Sequence, residues 1–134
     1  MKYLLDTNIC IYLFRGKYDM DRKILNKKVT NCAVSEITLA ELVFGAENSS
    51  NPKKHLQIIS DFTAQVPVLP IYDAIPIYGK LKSDLRKKGT LVSDFDLLIG
   101  ATALANKMIM VTENEREFSR LENLKIENWV KDLQ

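Results

Sequence analysis

Three acidic residues occupy positions in this sequence where a carboxylate is costly. Asp6 ends the first apolar run, Glu41 falls within the apolar stripe of a predicted helix, and Asp96 opens the most apolar helical segment. A carboxylate held against a hydrophobic core loses hydration, so it needs a cation or other compensation there. Clustered carboxylates bind hard cations such as Mg²⁺ or Mn²⁺, which activate water in phosphodiester chemistry. The three acids therefore predict a divalent-metal site.

Asp6 and Asp96 also have simpler structural explanations. Asp is a preferred N-cap, and Asp6 stands between an apolar run and the next predicted helix. Ser93 and Asp96 have the spacing of a capping box. Neither role excludes metal binding, because both place the carboxylate where a helix begins. Asp94 lies two residues before Asp96 and cannot share its helix face, so one of the two is expected to point away.

Glu41 is the more informative acid because of its place in the helical pattern. Ile37, Ala40 and Phe44 follow an i, i+3, i+7 stripe, and Glu41 is the i+4 member of that set. A glutamate on this stripe is expected to face the core or its edge. An ion pair with a buried Lys or Arg is the alternative to a role at the metal.

Other types of chemical site have little support in the sequence. His55 is isolated, so no His/Cys cluster suggests zinc, and neither a Gly-rich phosphate loop nor a Ser-His-Asp set is present. Cys10 and Cys32 each lie in an apolar predicted element. Two buried thiols are typical of a reducing compartment rather than of a disulfide framework.

Apolar runs and helical patterns alternate along the chain, and this alternation places the acids. Strands are predicted at 3–5, 32–34, 66–71, 108–111 and 124–126, and helices at 9–14, 21–28, 35–46, 55–64, 74–88, 93–106 and 115–120. The strands are continuous apolar runs, which predicts an α/β fold whose mainly parallel sheet is covered by helices on both faces. Ligands of such folds bind at the carboxyl ends of the strands, where the acids are expected.

Length and composition are those of one ordinary soluble domain. The chain has 134 residues, a hydrophobic fraction of 46%, a charged fraction of 27% and a formal net charge of +2. We expect a single domain over residues 1–134 with a real core and no strong overall attraction to nucleic acid. The first apolar run is interrupted at Asp6, and no segment is as long as a membrane span. A cytoplasmic location without membrane association is therefore expected.

The acids belong to a longer ordered set of motifs that resembles a known family. The set consists of Leu4-Leu5-Asp6-Thr7-Asn8, Ser35-Glu36-Ile37-Thr38-Leu39-Ala40-Glu41-Leu42 with Gly45, Phe95-Asp96-Leu97-Leu98-Ile99, Val111-Thr112-Glu113-Asn114 with Phe118, and Ile126-Glu127-Asn128-Trp129. In this order the motifs resemble the PIN-domain ribonucleases, and within them the VapC-type toxins of bacterial toxin–antitoxin pairs. The resemblance spans essentially the whole chain.

The resemblance implies a fold, an activity and partners. It implies a PIN-like three-layer α/β/α sandwich and an endoribonuclease that uses Mg²⁺, with Mn²⁺ able to substitute, to hydrolyse transfer RNA or another structured RNA. It also implies a cognate antitoxin encoded beside the gene, and a homodimer. By position, Asp6, Glu41 and Asp96 match the core acids, of which Asp6 and Asp96 are expected to hold the metal.

The residues around the core acids are assigned supporting roles on the same basis. The position where the wider family often has a fourth acid is Asn114 here, which weakens the case for a second metal. Asn114 is expected to orient a water, and Thr7 and Thr112 to support the acids. Asp94 is expected to interact with the dipole of its helix or to support the metal ligands without touching the metal. Gly100 and Ala103, on the face of Asp96, are small enough to let that face approach the sheet.

A basic stretch is the candidate RNA-binding surface. Lys80, Lys82, Arg86 and Lys87 lie on one predicted helix before Gly89. They would supply the attraction for phosphates that an acidic site lacks. The alternative is a solvated helix face without a ligand.

Two other functions are compatible with a small α/β domain that has an acidic rim. One is a receiver-like signalling domain, but such a domain wants paired acids after its first strand and a late Lys, and this chain has neither. The other is a PIN-like module that binds RNA without cutting it. Loss of a core acid would mark such a module, and no core acid is lost.

Overall fold

The computed structural model describes residues 1–131, so that residues 132–134 of the predicted domain lie outside the described part. Five strands and seven α-helices alternate as predicted. They are β1 (Tyr3–Leu5), α1 (Thr7–Phe14), α2 (Met20–Lys27), β2 (Cys32–Ser35), α3 (Glu36–Glu47), α4 (Pro52–Thr63), β3 (Val68–Leu69), α5 (Ile75–Lys87), α6 (Asp94–Ala105), β4 (Ile109–Val111), α7 (Glu115–Phe118) and β5 (Ile126–Glu127).

The strands form one five-stranded sheet in the order β3-β2-β1-β4-β5, and every neighbouring pair is parallel. β1 is central, with Tyr3 in register with Cys32 of β2 on one side and with Ile109 of β4 on the other. The chain builds outward from β1 to β3, then returns to add β4 and β5 on the opposite side. The order thus reverses between β1 and β4, the point at which ligands of open α/β sheets bind.

Helices cover both faces of the sheet and enclose two hydrophobic cores. Side chains alternate along β1, so Tyr3 and Leu5 join the core that includes Ile9, whereas Leu4 joins the opposite core with Leu97. The predicted three-layer α/β/α sandwich with a parallel sheet is confirmed. Every helix within the described part of the chain is either too short or too polar to span a bilayer.

The third strand is shorter than predicted. The expected strand at 66–71 is reduced to Val68–Leu69, which lies between Pro67 and Pro70. Proline has no backbone N–H to donate to a neighbouring strand, which is why such residues border strands and occupy sheet edges. β3 is accordingly an edge strand, and its pairing with β2 covers only two residues.

The prediction for the buried face of α3 is wrong. The buried residues are Thr38, Leu42 and Ala46, while Ala40 is exposed and Phe44 is 70% exposed. Apolar residues occur almost all round this helix, so their period alone does not select the face that meets α1 and α4. Glu41, which was expected to face the core or its edge, is half-buried and lies beside the true buried face.

Gly100 brings α6 close to α7, an approach that the prediction about the sheet did not include. A Cβ at this position would lie 2.3 Å from Leu121 Cδ2 and 3.5 Å from the ring of Phe118. Phe118 ends α7 and Leu121 follows it, and both are fully buried or nearly so. The absence of a side chain at Gly100 therefore lets the short helix α7 pack against α6, the helix that carries Asp96.

Candidate active site

Asp6 is the central acid of the site, and hydrogen bonds hold both of its carboxylate oxygens. It follows β1 and is 5% exposed. The Thr7 amide donates to Oδ1 at 2.8 Å, so Asp6 has the N-cap role that the sequence suggested as a simpler explanation. The Thr112 hydroxyl, which follows β4, donates to Oδ2 at 2.7 Å. The backbone N–H of Asn114 donates to Thr112 Oγ1 at 2.9 Å, so that this loop holds the hydroxyl in place.

Glu41 is joined to Asp6 through Thr7. The Thr7 hydroxyl lies 2.6 Å from Glu41 Oε1, while its backbone amide bonds Asp6. None of the ion pairs formed within residues 1–131 includes Glu41. The alternative explanation of Glu41, a buried ion pair, is therefore wrong.

Asp96 lies in the first turn of α6 and faces the same group. Its backbone amide donates to Ser93 Oγ at 3.2 Å, which is the cap predicted from the sequence. Its carboxylate is half-exposed, and burial together with the charges of Glu41 and Glu117 raises its pKa, against an opposing effect of Ser93.

Glu117 is a further acid whose charge reaches this group, and it is not among the site residues predicted from the sequence. It lies on α7, and its charge acts on Asp96. A signal for it exists in the sequence. Glu117 stands three residues after the N-cap Asn114, just as Asp96 stands three residues after the N-cap Ser93. Its side chain is 32% exposed and pairs weakly with Arg120 at 3.5 Å.

Asp94 lies outside this acidic group. Its carboxylate accepts hydrogen bonds from Tyr78 at 2.9 Å and from Lys82 at 2.7 Å, both on α5. The Lys82 ammonium and the Tyr78 hydroxyl hold the pKa of Asp94 below its usual value. Asp94 is thus exposed and joins α5 to α6, whereas the charge of Asp96 acts on Asp6.

The electrostatics of the group favour a cation. Burial raises the pKa of Asp6 to about 6, against the bonds from Thr112 and Thr7, and the charges of Asp96 and Glu41 add to the increase. Within residues 1–131, no three acidic, His or Cys side chains lie close enough together to bind one metal ion directly. One or two direct carboxylates with several waters is the usual coordination of Mg²⁺, so the donors present fit this ion.

The predicted basic surface is only partly available to a ligand. Lys82 is bound to Asp94, and Lys80 lies 3.9 Å from Asp84 in an exposed i, i+4 pair. Arg86 and Lys87 lie in the last turn of α5, exposed and outside the ion pairs of the described chain. Within this predicted surface, the cations outside ion pairs therefore lie at the carboxyl end of α5.

Comparison with known proteins agrees with this fold. The chain matches the PIN domain over residues 3–124. It is 35% identical to the tRNA(fMet)-specific endonuclease VapC of Salmonella typhimurium, over 96% of this chain and 98% of the relative. It is 38% identical to a ribonuclease VapC of Haemophilus influenzae, over 97% and 99% of the two chains.

Solved structures show the same similarity. A chain of VapBC2 from Rickettsia felis, bound to a DNA fragment from its promoter, superposes with a TM-score of 0.88 at 32% identity, over 96% of this chain and 99% of that one. A chain of DNA-bound VapBC from Salmonella typhimurium gives a TM-score of 0.87 at 34% identity, over 96% and 98%. The chain belongs to the PIN-domain family and, within it, to the VapC ribonucleases. The receiver-like alternative is thereby excluded.

Proposed function

We propose that this chain is a metal-dependent endoribonuclease, the toxin of a toxin–antitoxin pair, which uses Mg²⁺ or, in its place, Mn²⁺. The observation that carries the proposal is the buried Asp6, held by Thr7 and Thr112 beside Glu41 and Asp96, with no cation of the described chain paired to Asp6, Glu41 or Asp96. Three acids whose charges act on one another are a poor arrangement for stability and a good one for a divalent cation.

Each residue has a role that follows from its position. Asp6 and Asp96 would hold the metal, which when bound lowers the pKa of a water and neutralises charge on the phosphodiester. Glu41 and Glu117 would orient water and accept its proton. Thr7 and Thr112 fix the orientation of the carboxylates, and Asn114 fixes Thr112 through its backbone amide.

The substrate we propose is a transfer RNA or a similarly structured RNA. The name of the Salmonella relative specifies tRNA(fMet), and that relative aligns with nearly the whole chain. Arg86 and Lys87 would contact phosphates, with Lys80 and Lys82 less available because Asp84 and Asp94 lie beside them. A polyanion requires such a surface because the acids themselves repel it.

The partner we propose is a cognate antitoxin that covers the acidic group. An apolar groove of about 240 Å³ between α1, α3 and α4 is lined by Ile11, Phe14, Leu42 and Ile58, and Glu41 also lines it. A segment with an apolar side chain in this groove and an Arg or Lys at Glu41 would replace the charge of the metal. The solved relatives are VapBC complexes, which fits such a partner. A homodimer, a single domain over residues 1–134 and a cytoplasmic location remain predictions.

The decisive experiment is cleavage of purified transfer RNA by the wild-type chain with Mg²⁺, with Mn²⁺ and with excess chelator. We expect discrete internal cuts with either metal and none with chelator, and no cuts by Asp6→Asn. Cleavage that persists in chelator would contradict the metal mechanism. Metal-independent binding of RNA without any cut would instead favour the non-catalytic alternative.

The antitoxin is tested separately. The product of the neighbouring reading frame should suppress cleavage when co-purified with the chain, and the complex should take up less Mn²⁺ than the free chain. A complex that binds Mn²⁺ as well as the free chain does would place inhibition elsewhere.

A further inference from the structure

Thr38 is a buried hydroxyl at the site to which no role has yet been assigned. It lies on α3, three residues before Glu41, and it is 0% exposed. Its Oγ1 is 3.1 Å from Thr7 Oγ1, which is its one hydrogen-bond partner within residues 1–131. The other buried residues of α3, Leu42 and Ala46, are apolar.

The number of hydroxyl protons determines the direction of these bonds. Thr7 has one hydroxyl proton, and its oxygen lies between Glu41 Oε1 at 2.6 Å and Thr38 Oγ1 at 3.1 Å. An ionised carboxylate can only accept, and a hydroxyl donates once but accepts twice. The Thr7 proton therefore goes to Glu41, and the contact with Thr38 becomes a hydrogen bond only when the Thr38 proton goes to Thr7.

We infer that Thr38 is a positioning residue for Glu41 and acts through Thr7. Its hydroxyl donates to Thr7 Oγ1, which leaves the Thr7 proton no orientation better than the one towards Glu41. The chain Thr38–Thr7–Glu41 thus holds the Glu41 carboxylate at one angle, and donors aligned in series strengthen one another. Thr7 also bonds Asp6 through its amide, so the chain sets the spacing of two acids.

The inference rests on the proposed function, because it assigns a role in the same metal site. It differs from a packing role in what it predicts for substitutions. Thr38→Val keeps the shape and removes the donor, whereas Thr38→Ser keeps the donor and loses a buried methyl group. A packing residue would tolerate Val, while a donor would tolerate Ser.

The test is a double-mutant cycle of Thr38→Val and Thr7→Val, read by the dissociation constant for Mn²⁺ and by kcat on purified transfer RNA. In the wild-type background, Thr38→Val should weaken Mn²⁺ binding and lower kcat by about 3- to 10-fold each, which is the worth of one ordinary hydrogen bond, with little change in KM. In the Thr7→Val background the same substitution should change neither quantity, because the route to Glu41 is already broken. Thr38→Ser should restore both to within about twofold of the wild type.

Thr102→Val is the matched control. Thr102 is also fully buried, but its hydroxyl donates to Leu98 O of its own helix at 2.8 Å. This variant should lower the melting temperature without changing Mn²⁺ binding or kcat.

Several outcomes would overturn the inference. One is a Thr38→Val variant that matches the wild type in both Mn²⁺ affinity and kcat. Another is that the effects of Thr38→Val and Thr7→Val multiply independently. The third is a Thr38→Ser variant that is as impaired as Thr38→Val. A wild-type chain that binds Mn²⁺ but does not cut RNA would refute the proposed function alone, because the double-mutant cycle on Mn²⁺ affinity would still measure the effect of Thr38. A chain that binds no Mn²⁺ would refute both.

Discussion

The hydroxyl of Thr112 donates a 2.7 Å hydrogen bond to the carboxylate of Asp6, across 106 positions of sequence. The bond joins the residues that follow β1 and β4, where the order of the sheet reverses. Asp6 thereby keeps one fixed orientation although it is almost fully buried among other acids. A buried acid so constrained has measurable consequences for stability and for cation binding.

The first prediction concerns the pH dependence of stability without added divalent metal. The pKa of Asp6 is raised from 3.8 to about 6, chiefly by burial. The folded state holds the proton of Asp6 more tightly than the unfolded state does. The contribution of this proton to the free energy of unfolding is therefore full below about pH 4 and is lost as the pH rises through about 6. The loss amounts to about 3 kcal/mol. Asp6→Asn, which cannot ionise, should escape it.

The measurement is denaturant unfolding of the wild type and Asp6→Asn across this pH range. The stability of the variant relative to the wild type should increase between about pH 4 and about pH 7. A constant difference would mean that Asp6 titrates normally. Mn²⁺ should bind the wild type more weakly below about pH 6, since proton and cation compete for one carboxylate.

The second prediction separates the two acids at the start of α6. Asp96→Asn should lower cleavage by roughly 10³-fold or more, because it removes a metal ligand from the transition state. Asp94→Asn should leave cleavage largely unchanged and reduce stability slightly, because Asp94 faces Lys82 and Tyr78 in an exposed pair. Single-turnover cleavage and thermal unfolding of both variants give the comparison. The reverse order of activities would show that Asp94 is the ligand.

The third prediction is that Glu117 participates in the site. Glu117→Gln should reduce cleavage or Mn²⁺ affinity by about 10- to 100-fold, the range for groups that orient metal ligands. Stability should change little, since the contact with Arg120 is long and partly exposed. Glu122→Gln, an exposed acid just beyond α7, is the control and should behave as the wild type does. Equal activity of the two variants would remove Glu117 from the site.

The fourth prediction concerns RNA affinity and salt. Arg86→Gln with Lys87→Gln should weaken binding and flatten the dependence of log K on log salt, by roughly 0.7 to 0.9 for each phosphate that the variant no longer neutralises. Lys82→Gln should have less effect, because Asp94 already neutralises that charge. The control removes the same charge at the amino end of the sheet, with Lys107→Gln and Lys125→Gln before β4 and β5. If both double variants give the same slope, the end of α5 is only a solvated surface.

What the sequence determined by itself depends on local rules. Continuous apolar strands alternating with helices predicted the parallel three-layer sandwich. Asp6 and Asp96 could be selected as candidates because Asp6 caps α1 and Asp96 lies in the first turn of α6. These features depend on neighbours within a few residues, where hydrogen-bond geometry leaves few choices. The bounds of two strands were exceptions. Two prolines limit the pairing of β3, and β5 is Ile126–Glu127 rather than the predicted 124–126.

Only the tertiary structure decided which side chains meet across the chain. α3 is apolar on several sides, so its packing against α1 and α4 selected Thr38 and Leu42 rather than Phe44. Gly100 let α7 approach α6, the helix in which Asp96 feels the charge of Glu117, and the position of α5 paired Lys82 with Asp94. Each of these contacts depends on the packing of two elements against a third, which periodicity along one element does not specify.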